Sequence, residues 1–204
     1  KMIYPGMQQR EVLNAFREIR TKLLQQSPKD NFVLLVSSIC AEGGASFVSV
    51  NMAISCALAE NKTALVIDCN LYVPSISDLL VADPDYGLTD YLEDPELDID
   101  DIIYSSGIPR LRVIPVGGKR ESATEFFTGE RMRQFINSVK KRYPDRYIIL
   151  DVAPLSASTD ARILVDVCDY AVLVVPGGKT TESQILAGVD AVSRDKLAGI
   201  VFNN

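Results

Sequence analysis

Histidine is absent from the chain, and its four cysteines, Cys40, Cys56, Cys69 and Cys168, stand far apart. No mixed Cys/His zinc site can be built from such a set, and reduced thiols in a cytosolic protein are the expected state. Also missing is any apolar run approaching the length of a membrane span, so membrane association is expected to pass through a partner. Lysine and arginine form no stripe, and the net charge is −6. Nothing here resembles the electrostatic footprint of a nucleic-acid binder, and no nucleic acid is expected as a ligand. Lys1 to Gln9 lacks the apolar core of a signal peptide. What is present is 204 residues, 47% apolar and 24% charged, which suits one globular domain with a sizeable core, and a second catalytic domain is not expected.

Short runs rich in β-branched residues alternate with segments of helical length. Phe32 to Val36, Thr63 to Ile67, Leu111 to Pro115, Tyr147 to Leu150, Tyr170 to Val175 and Gly199 to Phe202 read as strands buried on both faces. Between them, Ala45 to Glu60, Glu130 to Arg142, Asp160 to Asp166 and Glu182 to Val192 read as helices. That alternation predicts an α/β fold, a mostly parallel sheet flanked by helices on both faces. Ligands of such sheets sit beyond the carboxyl ends of the strands. The acidic stretch Asp83 to Asp101 reads as a solvated surface insertion. Glu11 to Leu24 reads as a separate amphipathic helix with Val12, Phe16, Ile19 and Leu23 on one face, and Arg17 and Arg20, three apart, on a shared face. The expected organisation is an N-terminal helical segment, 1–30, and an α/β domain, 31–204. Because the sequence stops directly after a buried strand, a longer natural chain is expected.

After the first strand comes Ser37-Ser38-Ile39-Cys40-Ala41-Glu42-Gly43-Gly44-Ala45-Ser46-Phe47 and then a helix. A glycine-rich turn between a buried strand and a helix aims backbone N–H groups at one spot, and the helix dipole adds positive potential there. A working phosphate-binding loop also needs a lysine on the β/γ-phosphates and a hydroxyl for magnesium. Ser46 can supply the hydroxyl, but the lysine position is Ala45. Taken alone, the loop reads better as a plain strand-to-helix turn. Gly177-Gly178-Lys179-Thr180 imitates the end of such a motif but fails on spacing, since Leu173, in mid-strand, occupies the place of the first glycine.

An ordered series of motifs carries more weight. Ala15-Phe16-Arg17-Glu18-Ile19-Arg20-Thr21, Ser37-Ser38, the glycine loop, Asn51-Met52-Ala53, Asp68, Leu71 and Pro74 follow one another. After them come Gly87 to Leu92, Tyr147 to Asp151 with Pro154, Thr159-Asp160-Ala161, Gly178 to Thr181 and Gly199 to Asn203. Over nearly its whole length the chain resembles the cytoplasmic domain of the bacterial tyrosine kinases of capsule and exopolysaccharide biosynthesis, members of the MinD-like P-loop ATPases. The resemblance implies ATP and magnesium as cofactors. It implies nucleotide contacts from Glu42, Gly43, Gly44, Ala45, Ser46, Phe47 and Asn203, the last near the adenine. Magnesium would fall to Ser46, Asp68 and Asp151, and the inherited catalytic positions are Asp68, Asn70 and Asp151. Each has a plain structural role open to it as well: Ser46 as a helix cap, the aspartates as acceptors for neighbouring loop amides.

The departures from the family pattern collect where the chemistry happens. Its lysine is Ala45, the second aspartate of its Asp-x-Asp motif is Asn70, the basic residue that usually follows is Tyr72, and Phe47 sits where threonine is common. Asn70 cannot serve as a general base, and phosphoryl transfer rests almost wholly on positioning and charge neutralisation. The expectation is a pseudokinase with weak or absent ATP binding, structural or regulatory in polysaccharide biosynthesis and export. An active autokinase drawing on another lysine and a MinD-like positioning module are the alternatives. The resemblance further implies a membrane chain-length determinant, the polysaccharide co-polymerase, as partner or fused segment. A cytoplasmic location peripheral to the inner membrane follows from it. In the family a Glu-x-x-Arg-x-x-Arg helix joins subunits in a ring; here Asn14 replaces the glutamate beside Arg17 and Arg20, so a weakened homo-oligomer is expected. The eight tyrosines are scattered, and the family's terminal tyrosine run is not contained in the chain.

Overall fold

Valine, isoleucine and leucine runs fill the middle of one seven-stranded sheet. In the computed structural model, which describes residues 2, 10–26, 31–118, 123–156 and 158–203, β1 (Val33–Ser38) and β2 (Thr63–Asp68) are followed by the two-residue β3 (Tyr104–Ser105) and by β4 (Leu111–Ile114). Strands β5 (Arg146–Asp151), β6 (Tyr170–Pro176) and β7 (Leu197–Asn203) complete it. Spatial order is β3-β4-β2-β5-β1-β6-β7. All neighbours are parallel except β3, which pairs antiparallel with β4 at the edge. From β1 the chain moves outward through β2 and β4, while β5 returns between β1 and β2 and leads through β6 to β7 on the other side. Their carboxyl ends therefore diverge around β1 and β5, the place where such sheets form a crevice.

One face is covered by α2 (Ala45–Ala57), nearly every residue of which is buried. A helix apolar on all sides needs cover above as well as below. The amphipathic α1 (Arg10–Gln26) supplies it, burying Leu13, Phe16 and Leu23 in the same cluster as Val48, Met52 and Ile54. On the opposite face lie α3 (Leu88–Glu93), α4 (Ala123–Thr128), α5 (Glu130–Arg142), α6 (Thr159–Leu164) and α7 (Glu182–Val192), around Leu88, Phe127, Phe135, Leu164 and Val192.

The acidic stretch is not the solvated loop that its composition suggests. Leu88 and Leu92 of α3, and Ile99 and Ile102 of a following 3₁₀ turn, are buried in the core. The aspartates act as caps: Asp90 accepts from the backbone N–H of Gly87 at 2.8 Å, and Asp98 accepts from that of Asp100 at 3.0 Å. Carboxylates at the start of a helical turn satisfy amides that have no partner inside it. The reading of Lys1 to Gln9, Met2 apart, and the division at residue 30 lie outside the described residues.

Candidate nucleotide site

Three strand ends and one helix start meet at the carboxyl edge of the sheet. Strand β1 ends at Ser38, the glycine loop crosses the top, and α2 begins at Ala45. Two residues in the loop take left-handed backbone angles, Glu42 with φ 55° and Gly44 with φ 87°. Glycine adopts such an angle freely, whereas a glutamate there is strained. A Cβ on Gly44 would collide with the Asn203 side-chain nitrogen, because Asn203, at the end of β7, lies against the loop and donates to the Gly43 carbonyl at 3.2 Å. The residue expected near an adenine thus holds the loop backbone itself.

Beneath the loop, Asp68 and Asp151 are register partners on β2 and β5, and neither is exposed. Their surroundings differ. Asp68 accepts from the backbone N–H of Asn70 at 3.0 Å and from those of Ser75 and Ile76 at 3.1 Å each, so both its oxygens organise the loop after β2. Asn70 belongs to the same loop, its side-chain oxygen accepting from the Val73 N–H at 3.2 Å. Asp151 accepts from the Ser49 hydroxyl at 2.8 Å on Oδ1, while its buried Oδ2 has no hydrogen-bond partner among the described residues. Burial pushes the Asp68 carboxyl up to about 6, against the pull of its three backbone donors. Burial pushes Asp151 up to about 7, with the Asp68 charge adding to it and the Ser46 and Ser49 hydroxyls opposing. Ser46 thus lies near enough to favour the charged form of Asp151, although no bond of ordinary geometry joins it to Oδ2.

Above these carboxylates opens a cavity of about 650 Å³. Ser38, Glu42, Gly44, Ala45, Ser46 and Asn70 are among the residues around it, with Phe47, Tyr72 and Val73 toward solvent. No lysine or arginine among the described residues lines it. The place where the family's lysine would stand is the buried methyl group of Ala45. Phe47 packs edge-on against Phe16 of α1, ring centroids 6.0 Å apart, and so fastens the N-terminal helix to the start of α2. Lys179 of the rejected glycine motif is exposed on the turn between β6 and α7 and does not line the cavity.

The residues present fit one of the groups implied by the resemblance better than the other. An orphaned buried carboxylate oxygen on Asp151 beside the Ser46 hydroxyl suits magnesium; those two residues would hold it, and the ion would neutralise charge on phosphate oxygens. A triphosphate would find loop amides and the helix dipole but no side-chain cation. Ser49 was not foreseen from the sequence, though its spacing of three from Ser46 puts both on one face of α2. The interface candidates lie apart from the cavity on α1: Asn14 and Arg17 are exposed, while the Arg20 guanidinium donates to the Ser55 carbonyl of α2.

A parallel α/β sheet with a glycine loop, paired aspartates and a serine at the helix start defines a P-loop-type protein. No family model matches the chain. It is 32% identical over 191 residues to the tyrosine-protein kinase CpsD of Streptococcus agalactiae, a match covering 92% of this chain and 81% of that protein. It is 24% identical over 181 residues to the succinoglycan biosynthesis transport protein ExoP of Rhizobium meliloti, covering 84% of this chain and 22% of that one. Among solved structures, the kinase domain of the Escherichia coli tyrosine kinase ETK superposes with a TM-score of 0.85 at 23% identity, covering 94% of this chain and 75% of that one. The cell division ATPase MinD of Pyrococcus furiosus shares the fold with a TM-score of 0.68 at 22% identity, over 84% and 70% of the two chains. The chain belongs to the bacterial tyrosine-kinase family.

Proposed function

We propose that this protein is a pseudokinase of that family, a structural or regulatory component of polysaccharide biosynthesis and export that binds ATP poorly and does not transfer phosphate. The observation that carries the reading is the cavity without a cation: Ala45 stands at the lysine position, and among the described residues no lysine or arginine reaches the lining from elsewhere. Two further features support it. Asn70 replaces a carboxylate and is held in its loop by Val73, and Glu42 brings a negative charge to the edge of a site meant for phosphates. A retained fold with a reduced reaction centre suits a protein whose work is contact. The partner that fits the family is a membrane chain-length determinant, separate or fused. Among the described residues no helix is long and apolar enough to cross a membrane, so such a partner would hold this domain at the cytoplasmic side of the inner membrane. Titration calorimetry with ATP and magnesium, together with an autophosphorylation assay, tests the reading: weak binding and no phosphotyrosine support it.

A second reading, an active autokinase with an atypical loop, draws on one observation. Asp151 keeps one buried oxygen without a hydrogen-bond partner among the described residues, and Ser46 lies near enough to favour its charged form, which supports a retained magnesium position. Tyrosine autophosphorylation that Asp151→Ala abolishes would promote it. The MinD-like positioning module rests on fold likeness alone.

A further inference from the structure

Asp151 can turn only about its own side chain. Its strand β5 lies between β1 and β2, and its carbonyl accepts from the Cys69 N–H at 2.8 Å, so the backbone is fixed on both sides. Strand pairing does not fix the carboxylate, because the last torsion of an aspartate is broad. One side chain does. Ser49, fully buried in α2, places its hydroxyl 2.8 Å from Asp151 Oδ1 and 3.0 Å from the Ala45 carbonyl. A serine hydroxyl has a single proton for those two acceptors. The Ala45 carbonyl opens the ladder of α2 and is already served by the backbone N–H four residues on, which is that of Ser49. A carboxylate draws the stronger, charge-assisted bond. The proton therefore goes to Oδ1, and Oδ2 is the oxygen left without a partner among the described residues. Asp68 shows the contrast, since three backbone amides occupy both of its oxygens. Ser55, also buried in α2, shows another: its hydroxyl has no hydrogen-bond partner among the described residues.

We propose that Ser49 is the positioning residue of the magnesium position, and that by holding Oδ1 it makes Asp151 a one-oxygen ligand and so favours magnesium over calcium. Ser49 acts through Asp151 rather than on the ion itself. Magnesium demands a near-ideal octahedral shell, whereas calcium takes a carboxylate through one oxygen or both and tolerates irregular shells. A carboxylate pinned at one oxygen suits the first ion and withholds the two-oxygen mode from the second. Outer partners that orient a ligand are a large part of what sets metal affinity. The spacing of three puts Ser46 on the same face of α2, so one turn of helix carries both a ligand candidate and the residue that aims its companion. The inference rests on the reading that Ser46 and Asp151 keep a magnesium position, and it is independent of whether phosphate is transferred.

The test uses the whole chain and Mn²⁺ alone, a paramagnetic stand-in that shares the octahedral oxygen preference of magnesium. Electron paramagnetic resonance counts the free Mn²⁺, and Mg²⁺ or Ca²⁺ is added as competitor. The parent should bind Mn²⁺, and Asp151→Asn should remove that binding. Ser49→Ala should weaken it by about 10- to 100-fold. The variant should also lose more affinity for Mg²⁺ than for Ca²⁺, so that the preference between them falls. Ser49→Thr, which keeps a hydroxyl able to serve the same acceptors, should restore both affinity and preference. Ser55→Ala makes the same change further along α2 and should alter neither. If Ser49→Ala does not fold, Ser49→Cys, a weak donor of similar size, takes its place in the comparison. Unchanged Mn²⁺ affinity in the Ser49 variant would overturn the proposal. So would a loss shared equally by Mg²⁺ and Ca²⁺, which would make Ser49 a packing residue. An absence of Mn²⁺ binding by the parent, or binding that Asp151→Asn leaves intact, would instead overturn the retained magnesium position and the proposal with it.

Discussion

Asp68 and Asp151 stand directly beside each other on adjacent parallel strands, both fully buried, yet one has every oxygen engaged and the other does not. Asp68 is turned toward the backbone of its own loop and gives that loop its shape. Asp151 is held on one side by Ser49 and presents an unpaired oxygen on the other. The plain structural role open to both therefore describes Asp68, whereas an unsatisfied buried oxygen calls for an ion or a proton.

Stability should fall as the pH rises from about 4 to 7. Both carboxyls sit above the ordinary aspartate range in the folded state, chiefly through burial. Between the unfolded and folded values the native state holds protons that the unfolded chain has released, so the stabilisation is complete at the acid end and lost toward the alkaline one. Asp151→Asn removes one of the two charges. Urea titrations at pH 5 and pH 8 should show the variant close to the parent at pH 5 and more stable at pH 8 by upwards of about 1 kcal/mol, roughly one pKa unit. An unchanged pH slope would contradict this.

Glu42→Gly should stabilise the fold. A side chain at φ 55° costs roughly 1–2 kcal/mol in the left-handed region, part of which glycine's greater unfolded-state freedom takes back. A net gain of about 1 kcal/mol would raise Tm by about 2–4 °C for a chain of this size. Calorimetry that shows a lowered Tm would mean that the Glu42 side chain makes contacts worth more than its strain.

Gly44→Ala and Asn203→Ala should not add. The first places a methyl group against the Asn203 amide and strains φ 87°; the second removes both the obstacle and the bond to the Gly43 carbonyl. With Asn203 gone, the alanine at 44 keeps its backbone strain but loses the clash. The double variant should therefore be less destabilised than the sum of the singles by about 0.5–3 kcal/mol, the range for residues that touch. Additivity in urea titrations would show that Asn203 swings away from the loop.

Most of the fold was readable because the core strands carry their own signal. Phe32 to Val36 and Tyr147 to Leu150 are apolar on both faces, and only a doubly covered strand suits such runs. Tyr104–Ser105 gave none, being two residues whose pairing is fixed by β4. Helix α3 hid inside an acidic stretch because its apolar residues are few and its one aspartate, Asp90, which reads as solvated, accepts from the backbone amides of Gly87 and Gly118. At the site, the ordered motifs pointed to the loop and to both aspartates. They could not divide the two, since the amides that occupy Asp68 belong to a loop whose course the sequence does not show. Arg20 on the Ser55 carbonyl likewise joins two helices distant in sequence.

The bond from Arg20 to α2 bears on assembly. With Asn14 standing where the family pattern has a glutamate and Arg20 already engaged within its own chain, Arg17 is the one charged residue of those three positions left exposed for a neighbouring subunit. A charge-assisted hydrogen bond between subunits is worth about 1.5–3 kcal/mol, so without two of them the isolated domain should be a monomer or a weak ring. Light scattering at low micromolar concentration should show this, and a stable octamer would mean that other surfaces dominate.

The central claim, a phosphate site missing its cation, is tested most directly by calorimetric titration of ATP–magnesium into the parent chain and into Ala45→Lys. Absence of one or two charge-assisted bonds at about 1.5–3 kcal/mol each should leave the parent roughly ten-fold to 20,000-fold weaker than a site that keeps its lysine. Ala45→Lys should recover at least about ten-fold in affinity, with phosphate transfer still waiting on Asn70→Asp. Micromolar ATP binding by the parent, unimproved by the new lysine, would contradict the account.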